Sequence, residues 1–427
     1  MKKKIITSVL LGICLYFSLT TITQAQEFHI DAKGAMAVDA KTGQILFEQN
    51  SSEMLSIAST TKLLSMYLIY EQLAQQHIQL TDQVAISPQV SALSLDPDLS
   101  NVVLYEDQTY SVESLIYAGF LESANAAVLA LAEHIAGSEA AFVDQMRAKL
   151  ASWQITDGLI VNSTGLPNEY LGDARYPGSQ LTDENQMTTK DMLIVARHLV
   201  LDFSDVLTIT QTPTYEFYST PTESVTITNT NQMLLSLPFA YEGVNGLKTG
   251  TTDLAGACFV ASTIIDGQEI LTAVYDVTDG LELAEKRFTE TARLLDYIKG
   301  RFVNKQVLTA NTPLDQTITI KEGQQDALHV YSTTDLRLWD QQADPGTLEV
   351  TPIFDQAPLV APIASGQQIG QASVTLSNNT LGYLAKTPTV VIASEDTIEK
   401  AYDLSTETKA TSSFFKQVMK KITSFFS

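Results

Sequence analysis

Along residues 34–300 the hydrophobic positions form short continuous runs, then follow a helical period, and then form short runs again. Within residues 34–49 two apolar runs, 35–38 and 45–47, flank a turn at 40–43, which predicts a β-hairpin. From Ser59 onwards apolar positions surround the helical wheel on almost every side, a pattern typical of a buried helix. Helical periodicity predicts three more helices, at residues 126–136 with an end at Gly137, at 139–152 and at 189–202.

A second pair of strands is predicted near the end of this segment. Residues 257–261 and 270–274 are apolar runs joined through Asp266-Gly267, a strong signal for a hairpin turn. A helical pattern over residues 281–299 follows and ends at Gly300. Strands at both ends, with helices between them, predict an α+β domain with an antiparallel sheet over residues 26–300.

After Arg301 the pattern changes to short alternating runs separated by proline and glycine, which predicts a small all-β domain over residues 301–394. Residues 395–411 are polar and acidic, so a linker is expected there. Residues 412–427 are predicted to form an amphipathic helix, because the large apolar side chains all lie on one side of the wheel: Phe414, Phe415, Val418, Met419, Ile422, Phe425 and Phe426.

This terminal helix is too short to cross a bilayer. At 1.5 Å per residue it is roughly 20 Å long, against ~30 Å for the hydrocarbon core. It can lie in a membrane interface, with Lys416, Lys420 and Lys421 on its polar side. The alternative is a helix that packs on the protein's own surface.

The N-terminus has the pattern of an export signal. Lys2, Lys3 and Lys4 precede an apolar stretch over residues 5–19, and small residues end at Ala25. This predicts a signal peptide over residues 1–25 and a secreted protein; the alternative is a single membrane anchor. Cleavage removes Cys14, so Cys258 would be the one cysteine of the mature chain and no intrachain disulfide could form.

Composition narrows the class of partner. The 427 residues are 44% hydrophobic and 18% charged, as in an ordinary globular protein of about two domains. The net charge is -23, and it becomes -26 when residues 1–25, with three lysines and no acid, are removed. Such a balance excludes nucleic acid as an expected partner, because phosphate backbones require a basic face.

Three short motifs carry candidate chemistry, and each occurs twice: Ser-x-x-Lys at 59–62 and 413–416, Ser-x-Asn at 123–125 and 377–379, and Lys-Thr-Gly at 248–250 and 41–43. One copy of each lies inside the predicted α+β domain, at a helix start, between helices and before a strand. The other copies lie on the terminal helix, in a β-domain turn and in a hairpin turn. The prediction of an active site therefore rests on the first copies, 59–62, 123–125 and 248–250, which occur together in one domain.

The residue types fit nucleophilic catalysis. Ser59 and Lys62 are three residues apart at a helix start, so they share one helix face. A serine hydroxyl needs a base, and none of the five histidines has a recognisable triad context. Lys62 can serve if burial and a neighbouring cation, Lys248, lower its pKa. Free N–H groups at the helix start suit a developing oxyanion.

This set of motifs resembles that of the penicillin-recognising serine D-peptidases. The chain is most similar to low-molecular-mass D-alanyl-D-alanine carboxypeptidases of Gram-positive bacteria, which implies a β-lactamase/transpeptidase-like domain. The likeness spans nearly the whole chain and includes the segments 39–43, 162–166 and 246–252. Ser123-Ala124-Asn125 follows the carboxypeptidases, whereas class A β-lactamases have Ser-Asp-Asn.

The resemblance implies a role for each motif residue. Ser59 would attack the carbonyl between two terminal D-alanines with Lys62 as its base, and the N–H groups of Ser59 and Thr251 would form an oxyanion hole. Ser123 would relay a proton, and Asn125 would orient the base and the substrate amide. Lys248 would supply positive potential. The substrate would bind along one strand, at Thr249, Gly250 and Thr251. Some relatives have His where Thr251 stands. No metal or organic cofactor is implied.

The implied partners are the peptidoglycan stem peptide that ends in D-alanyl-D-alanine, β-lactam antibiotics, and the outer face of the cytoplasmic membrane through the terminal helix. Two alternatives stay open. A class A-like β-lactamase would carry a Glu-x-x-Leu-Asn segment, and the nearest candidate, residues 169–173, does not fit. A non-catalytic wall-binding protein would be expected to lack Ser59, Lys62 or Lys248.

Overall fold

The protein is described by a computed structural model over residues 28–354, 358–401 and 404–424. The strands of its N-terminal domain are β1 (Ala32–Asp39), β2 (Ile45–Gln49), β3 (Met54–Ser56), β4 (Gln83–Ala85), β5 (Thr109–Ser111), β6 (Gln186–Thr188), β7 (Thr214–Thr220), β8 (Glu223–Thr228), β9 (Val244–Thr252), β10 (Gly256–Ile265) and β11 (Gln268–Val277). Its α-helices are α1 (Lys62–Ala74), α2 (Pro88–Ser94), α3 (Val112–Leu121), α4 (Asn125–Ala136), α5 (Glu139–Ser152), α6 (Thr189–Asp202), α7 (Val206–Thr210) and α8 (Lys286–Arg301).

A five-stranded antiparallel sheet, in the order β2-β1-β11-β10-β9, joins the two ends of the domain. Both predicted hairpins are confirmed. Asp266 and Gly267 have φ values of 49° and 72°, as a two-residue turn between twisted strands requires. Helix α8 covers one face of the sheet, and α1, α6 and α7 pack on the other, so the strands are apolar on both sides. The predicted α+β class is correct.

Helix α1 runs through the core between the sheet and the other helices. The side chains of residues 62–69 are buried on every side of the helix, which confirms the predicted buried helix, whereas its last turn reaches the surface. The α-helix begins at Lys62, however, after a 3₁₀ turn over Ala58–Thr61. Ser59 therefore lies in the 3₁₀ turn that leads into α1. Helices α4, α5 and α6 begin and end within one residue of the predicted bounds, and Gly137 ends α4 with a φ of 78°.

Helix α8 differs from the prediction. It begins at Lys286, five residues after the expected start, and ends at Arg301. Leu281 and Leu283 produced the apparent periodicity, but both are exposed in a turn in which the N–H of Leu283 donates to Asp279 O. Their apolar character is therefore not a sign of a buried helix face.

The C-terminal domain is all β, as predicted. Its strands are β12 (Phe302–Leu308), β13 (Pro313–Lys321), β14 (Ala327–Ser332), β15 (Leu336–Gln341), β16 (Leu348–Ile353), β17 (Leu359–Val360), β18 (Gln368–Leu376) and β19 (Thr389–Ser394). They form a six-stranded sheet in the order β16-β18-β19-β14-β13-β17 and the pair β12-β15. Alternate side chains of these strands form a separate core.

The predicted linker at 395–411 is wrong. Ile398 is buried and pairs with Ile363, and Asp396 accepts a hydrogen bond from the N–H of His329, so this segment packs on the β-domain. The terminal helix α9 (Leu404–Thr423) then begins eight residues before the predicted start at 412. The pattern missed this because a run of polar and acidic residues does not by itself distinguish a loop from a helix.

The apolar side of α9 is exposed. Phe414 and Phe415 retain 67% and 69% of their accessible surface, and residues 412–424 are all exposed, so the alternative of packing on the protein's own surface is not observed for them. Among the described residues no single helix is long and apolar enough to cross a membrane; α4 and α5 meet the criterion only as a pair bent by 84°. The predicted signal peptide and the last three residues lie outside the described residues.

A hairpin turn at residues 40–43 joins the two domains. The buried carboxylate of Asp39 accepts hydrogen bonds from Thr42 and from the indole N–H of Trp339 in β15. The Gln44 side chain bonds both main-chain groups of Trp339, and the N–H of Leu384 donates to Gly43 O at 2.7 Å. The second Lys-Thr-Gly motif, at 41–43, therefore lies at the junction between the domains and helps to hold them together.

Candidate active site

The 3₁₀ turn that holds Ser59 is wedged between a strand and a loop. A Cβ on Gly250 of β9 would meet Ile57 O and Ser59 N at 3.1 Å, and one on Gly165 would overlap Ala58 O. Gly165 also has a φ of +83°, which side chains rarely adopt. Both glycines thus allow the main chain to approach the turn closely, and this contact places Ser59 beside β9.

Lys62 lies one helical turn below Ser59 and is completely buried. Its Nζ is 2.8 Å from Ser59 Oγ, 2.7 Å from Asn125 Oδ1 and 2.8 Å from Thr164 O. Burial, and then the charge of Lys248, lower the pKa of Lys62 well below its ordinary value. A neutral amine that donates to the two carbonyl oxygens would direct its lone pair at the Ser59 hydroxyl, which is the geometry of a general base.

The Ser-x-Asn motif connects α3 and α4. Ser123 has a φ of 62° in the sharp turn between these helices, and Asn125 is the first residue of α4. The Asn125 amide nitrogen donates to Ser100 O at 3.1 Å, so its oxygen faces Lys62. The turn between α3 and α4 therefore places the Ser123 hydroxyl and the Asn125 amide near Ser59 and Lys62.

Strand β9 supplies a second buried amine. Lys248 Nζ donates to Thr249 O at 3.1 Å. Burial, and then the nearby Arg287 charge, lower the pKa of Lys248 to about 7, against an opposing effect of Glu122. The next side chain on this strand, Thr249, donates to the Thr230 hydroxyl at 2.9 Å.

These groups surround one open cavity of about 330 Å³. Its wall is formed by Ser59, Ser100, Ser123, Thr230, Gln232, Thr249, Gly250, Thr251, Ala284, Glu285, Arg287 and Phe288. Lys62, Asn125 and Lys248 lie directly behind that wall. The structure thus brings together every site residue predicted from sequence. The second copies of the motifs lie on α9, in the turn after β18 and at the domain junction.

Arg287 is the residue that the sequence analysis missed. It is 5% exposed, donates to Thr251 Oγ1 at 2.7 Å and to Gly250 O at 2.8 Å, and lines the cavity. It stands in the second position of α8, where nothing in the local pattern separates it from a solvent-facing arginine. Only the packing of α8 on β10 and β11, which brings Arg287 to Gly250 O and Thr251, shows its position.

Glu169, the nearest candidate for a deacylating carboxylate of the β-lactamase type, is exposed and lines a neighbouring cavity that does not include Ser59. Within the described ranges no group of three or more His, Cys, Asp or Glu side chains is arranged to hold a metal ion.

Residues 20–279 match the profile of the D-alanyl-D-alanine carboxypeptidase family of serine peptidases, which is more than half of the chain. The chain belongs to this family. Residues 302–400 match the C-terminal domain of penicillin-binding protein 5. These matches confirm the family that the motifs indicated, though not a Gram-positive origin in particular, and the protein is a serine-type hydrolase.

Individual relatives and solved structures are similar to this chain along most of its length. D-alanyl-D-alanine carboxypeptidase DacF of Bacillus subtilis is 25% identical over 376 residues, 86% of this chain and 89% of its own length. A peptidoglycan synthesis regulatory factor (PBP3) of Streptococcus pneumoniae is 37% identical with a TM-score of 0.77, covering 87% of this chain and 100% of that one. Penicillin-binding protein D2 of Listeria monocytogenes, solved with ampicillin, is 26% identical with a TM-score of 0.51 over 63% of this chain and 98% of that one.

Proposed function

We propose that this carboxypeptidase removes the terminal D-alanine from peptidoglycan stem pentapeptides through an acyl-enzyme on Ser59. The observation that carries the proposal is the approach of Lys62 Nζ to Ser59 Oγ, 2.8 Å, at the wall of the cavity. The low pKa of Lys62 supports its role as the base, because only the neutral amine can accept the hydroxyl proton.

In the acylation step Ser59 Oγ attacks the carbonyl carbon of the penultimate D-alanine while Lys62 takes its proton. The N–H groups of Ser59 and Thr251 stabilise the negative carbonyl oxygen of the tetrahedral intermediate. The C–N bond then breaks, and the leaving D-alanine nitrogen receives a proton through Ser123. Water attacks the ester in the second step, which releases the shortened peptide and restores the serine.

The free carboxylate of the substrate is proposed to lie between Thr249 and Thr251 in the positive potential of Lys248. Side chains two apart on a strand emerge on the same face, so both hydroxyls can reach one carboxylate. Arg287 donates to Thr251 Oγ1, which leaves the Thr251 hydroxyl proton available as a donor. Arg287 therefore joins the residues that we assign to substrate binding, together with Gly250, whose missing side chain keeps the site open.

Penicillin is proposed to bind in the same place, because it combines a carboxylate with a strained amide. The ampicillin-bound relative from Listeria supports this part of the proposal. The position of Glu169 outside the Ser59 cavity favours slow release of the acyl group over β-lactamase activity.

The enzyme is proposed to act at the outer face of the cytoplasmic membrane, after export by a signal peptide over residues 1–25. We assign residues 26–300 to the catalytic domain and, since the segment after residue 394 packs on the β-domain, residues 301–401 to that domain. Helix α9 is assigned to the membrane surface. Its exposed apolar side chains and its lysines at 416, 420 and 421 suit an interface with anionic lipid.

Two measurements test the catalytic proposal. A fluorescent penicillin should label the wild type, and mass spectrometry should show an adduct on Ser59. The same protein should convert a pentapeptide that ends in D-alanyl-D-alanine into a tetrapeptide. The Ser59→Ala variant should do neither. An adduct on Ser123 or Ser413 in the wild type would disprove the assignment, and the absence of both activities would favour a non-catalytic wall-binding protein.

A further inference from the structure

Glu139, the first residue of α5, is a buried carboxylate that the mechanism above does not use. It is 5% exposed, and it forms no ion pair among the residues that the structure describes. Both of its oxygens accept hydrogen bonds from Ser163: Oε1 from the main-chain N–H at 2.6 Å and Oε2 from the hydroxyl at 2.8 Å. A buried carboxylate with no cation is costly, so its position requires an explanation.

Ser163 is held from a second side as well. The Ser65 hydroxyl of α1 donates to Ser163 O at 2.5 Å. The next residue is Thr164, whose carbonyl oxygen accepts the hydrogen bond from Lys62. Glu139 is therefore connected to the base through two consecutive residues that are held at fixed positions between α1 and α5.

We propose that Glu139 is a positioning residue for the base: by holding Ser163 it fixes the Thr164 carbonyl that orients Lys62. The inference rests on the proposed function of Lys62 as the base of Ser59. A neutral amine has two N–H donors and one lone pair, so two fixed acceptors, Asn125 Oδ1 and Thr164 O, are needed to direct the lone pair at the hydroxyl. If Thr164 O moves, the amine can rotate away.

The electrostatic setting shows which property of Glu139 matters. Burial raises the pKa of Glu139 to about 7 against the hydrogen bonds of Ser163, and the nearby charge of Glu133 on α4 raises it further. Either protonation state can hold Ser163, because a neutral acid can donate through Oε2 to the hydroxyl and accept the N–H through Oε1. The charged group that faces Lys62 is Lys248 on β9. The length and shape of the Glu139 side chain, and not its charge, should therefore determine how well it holds Ser163 and so orients Lys62.

Two conservative variants separate these properties. Glu139→Gln keeps the length, can accept the Ser163 N–H through its oxygen and can donate its amide N–H to the Ser163 hydroxyl, but removes the charge. Glu139→Asp keeps the charge and is one methylene too short. With the fluorescent penicillin as probe, the acylation rate constant should fall about 10–100-fold in Glu139→Asp, as expected for a displaced catalytic group. It should stay within about threefold of the wild type in Glu139→Gln. Non-covalent affinity for the penicillin should be unchanged in both, and Glu133→Asp is the matched control.

The pH profile distinguishes positioning from a loss of folded protein. A hydrogen bond to Thr164 O stabilises the ammonium form of Lys62, so its loss in Glu139→Asp should move the acid limb of acylation to lower pH. An unmoved limb, a limb displaced to higher pH, or equal losses in the Gln and Asp variants would overturn the proposal. Labelling of the wild type and its absence in Ser59→Ala test the proposed function separately in the same assay.

Discussion

At the scale of single residues, the reactive centre depends on two buried amines, Lys62 and Lys248, on facing elements. Burial lowers the pKa of each, and the charge of Lys248 lowers that of Lys62 further. The fold thus keeps Lys62 able to accept a proton at a pH where an exposed lysine is fully charged. Activity should rise with pH through the pKa of Lys62, since only its neutral form activates Ser59.

This coupling predicts the effect of Lys248→Gln on pH dependence. Removing the neighbouring positive charge stabilises the ammonium form of Lys62, so its pKa rises. The acid limb of penicillin acylation should move to higher pH by about one unit, in addition to any overall loss of rate. Rates of acylation with a fluorescent penicillin, measured from acid to neutral pH, give the position of the limb. A limb at the wild-type position would show that the two amines do not interact.

Recognition of the carboxylate gives a second prediction at this scale. The wild type should hydrolyse a peptide that ends in D-alanyl-D-alanine at least about 10²-fold faster than its C-terminal amide, because donors built for a carboxylate are left unpaired by the amide. Thr249→Val should reduce this preference. Thr263→Val is the matched control, because the buried Thr263 hydroxyl has no hydrogen-bond partner in the described structure. Equal wild-type rates on the two peptides would favour an endopeptidase.

The sequence locates most of these residues, but not all of them. Ser59, Lys62, Ser123, Asn125 and Lys248 belong to short motifs whose order within one domain can be recognised without a structure, and the structure brings them together. Arg287 and Glu139 belong to no motif. Their significance depends on what α8 and α5 pack against, and a local pattern contains no information on such contacts.

At the scale of elements, the site depends on the packing of β9 against the 3₁₀ turn before α1. The sequence predicted the hairpin of β10 and β11 and a strand at the Lys248 motif, whereas the order in which β9 joins the sheet came from the structure. The 3₁₀ start of α1 could not be predicted, because it results from the approach of Gly165 to Ala58 O and of Gly250 to Ser59 N. The start of α8 was predicted five residues too early because the exposed Leu281 and Leu283 extend the helical hydrophobic pattern.

Gly250→Ala tests this packing. The added Cβ would lie 3.1 Å from Ile57 O and Ser59 N, so β9 and the turn must move apart by a few tenths of an ångström. Acylation should fall at least about tenfold, since small displacements of reacting groups are costly, while the protein stays folded. Gly300→Ala in α8 is the control, because its Cβ meets no atom within 4 Å. Unchanged acylation in Gly250→Ala would show that the turn tolerates the displacement.

At the scale of the whole molecule, opposite charges are separated along the chain. The predicted mature protein has a net charge of -26, whereas the last two turns of α9 contain Lys416, Lys420 and Lys421. Repulsion between an acidic body and anionic lipid is screened within a Debye length of ~8–10 Å. The lysines and exposed apolar side chains of α9 can therefore act locally at the membrane surface.

Removal of residues 402–427 should leave penicillin acylation intact and abolish sedimentation with anionic vesicles. A single substitution refines the test. Phe415→Asp places a charge on the apolar side and should release the protein, whereas Gln417→Asp places the same charge on the polar side and should retain most of the binding. Unchanged sedimentation of the truncated protein would instead point to the β-domain as the membrane-binding part.

The junction at residues 40–43 has a consequence for unfolding. Asp39 and Gln44 belong to the sheet hairpin of the catalytic domain, yet their buried side chains are paired with Trp339 of the β-domain. Opening the junction would break these three hydrogen bonds to Trp339, so neither domain can melt alone without losing them. Calorimetry should therefore record one cooperative heat-absorption peak for both domains. Trp339→Phe, which leaves Asp39 without the indole donor, should divide the peak into two, and two peaks in the wild type would contradict the coupling.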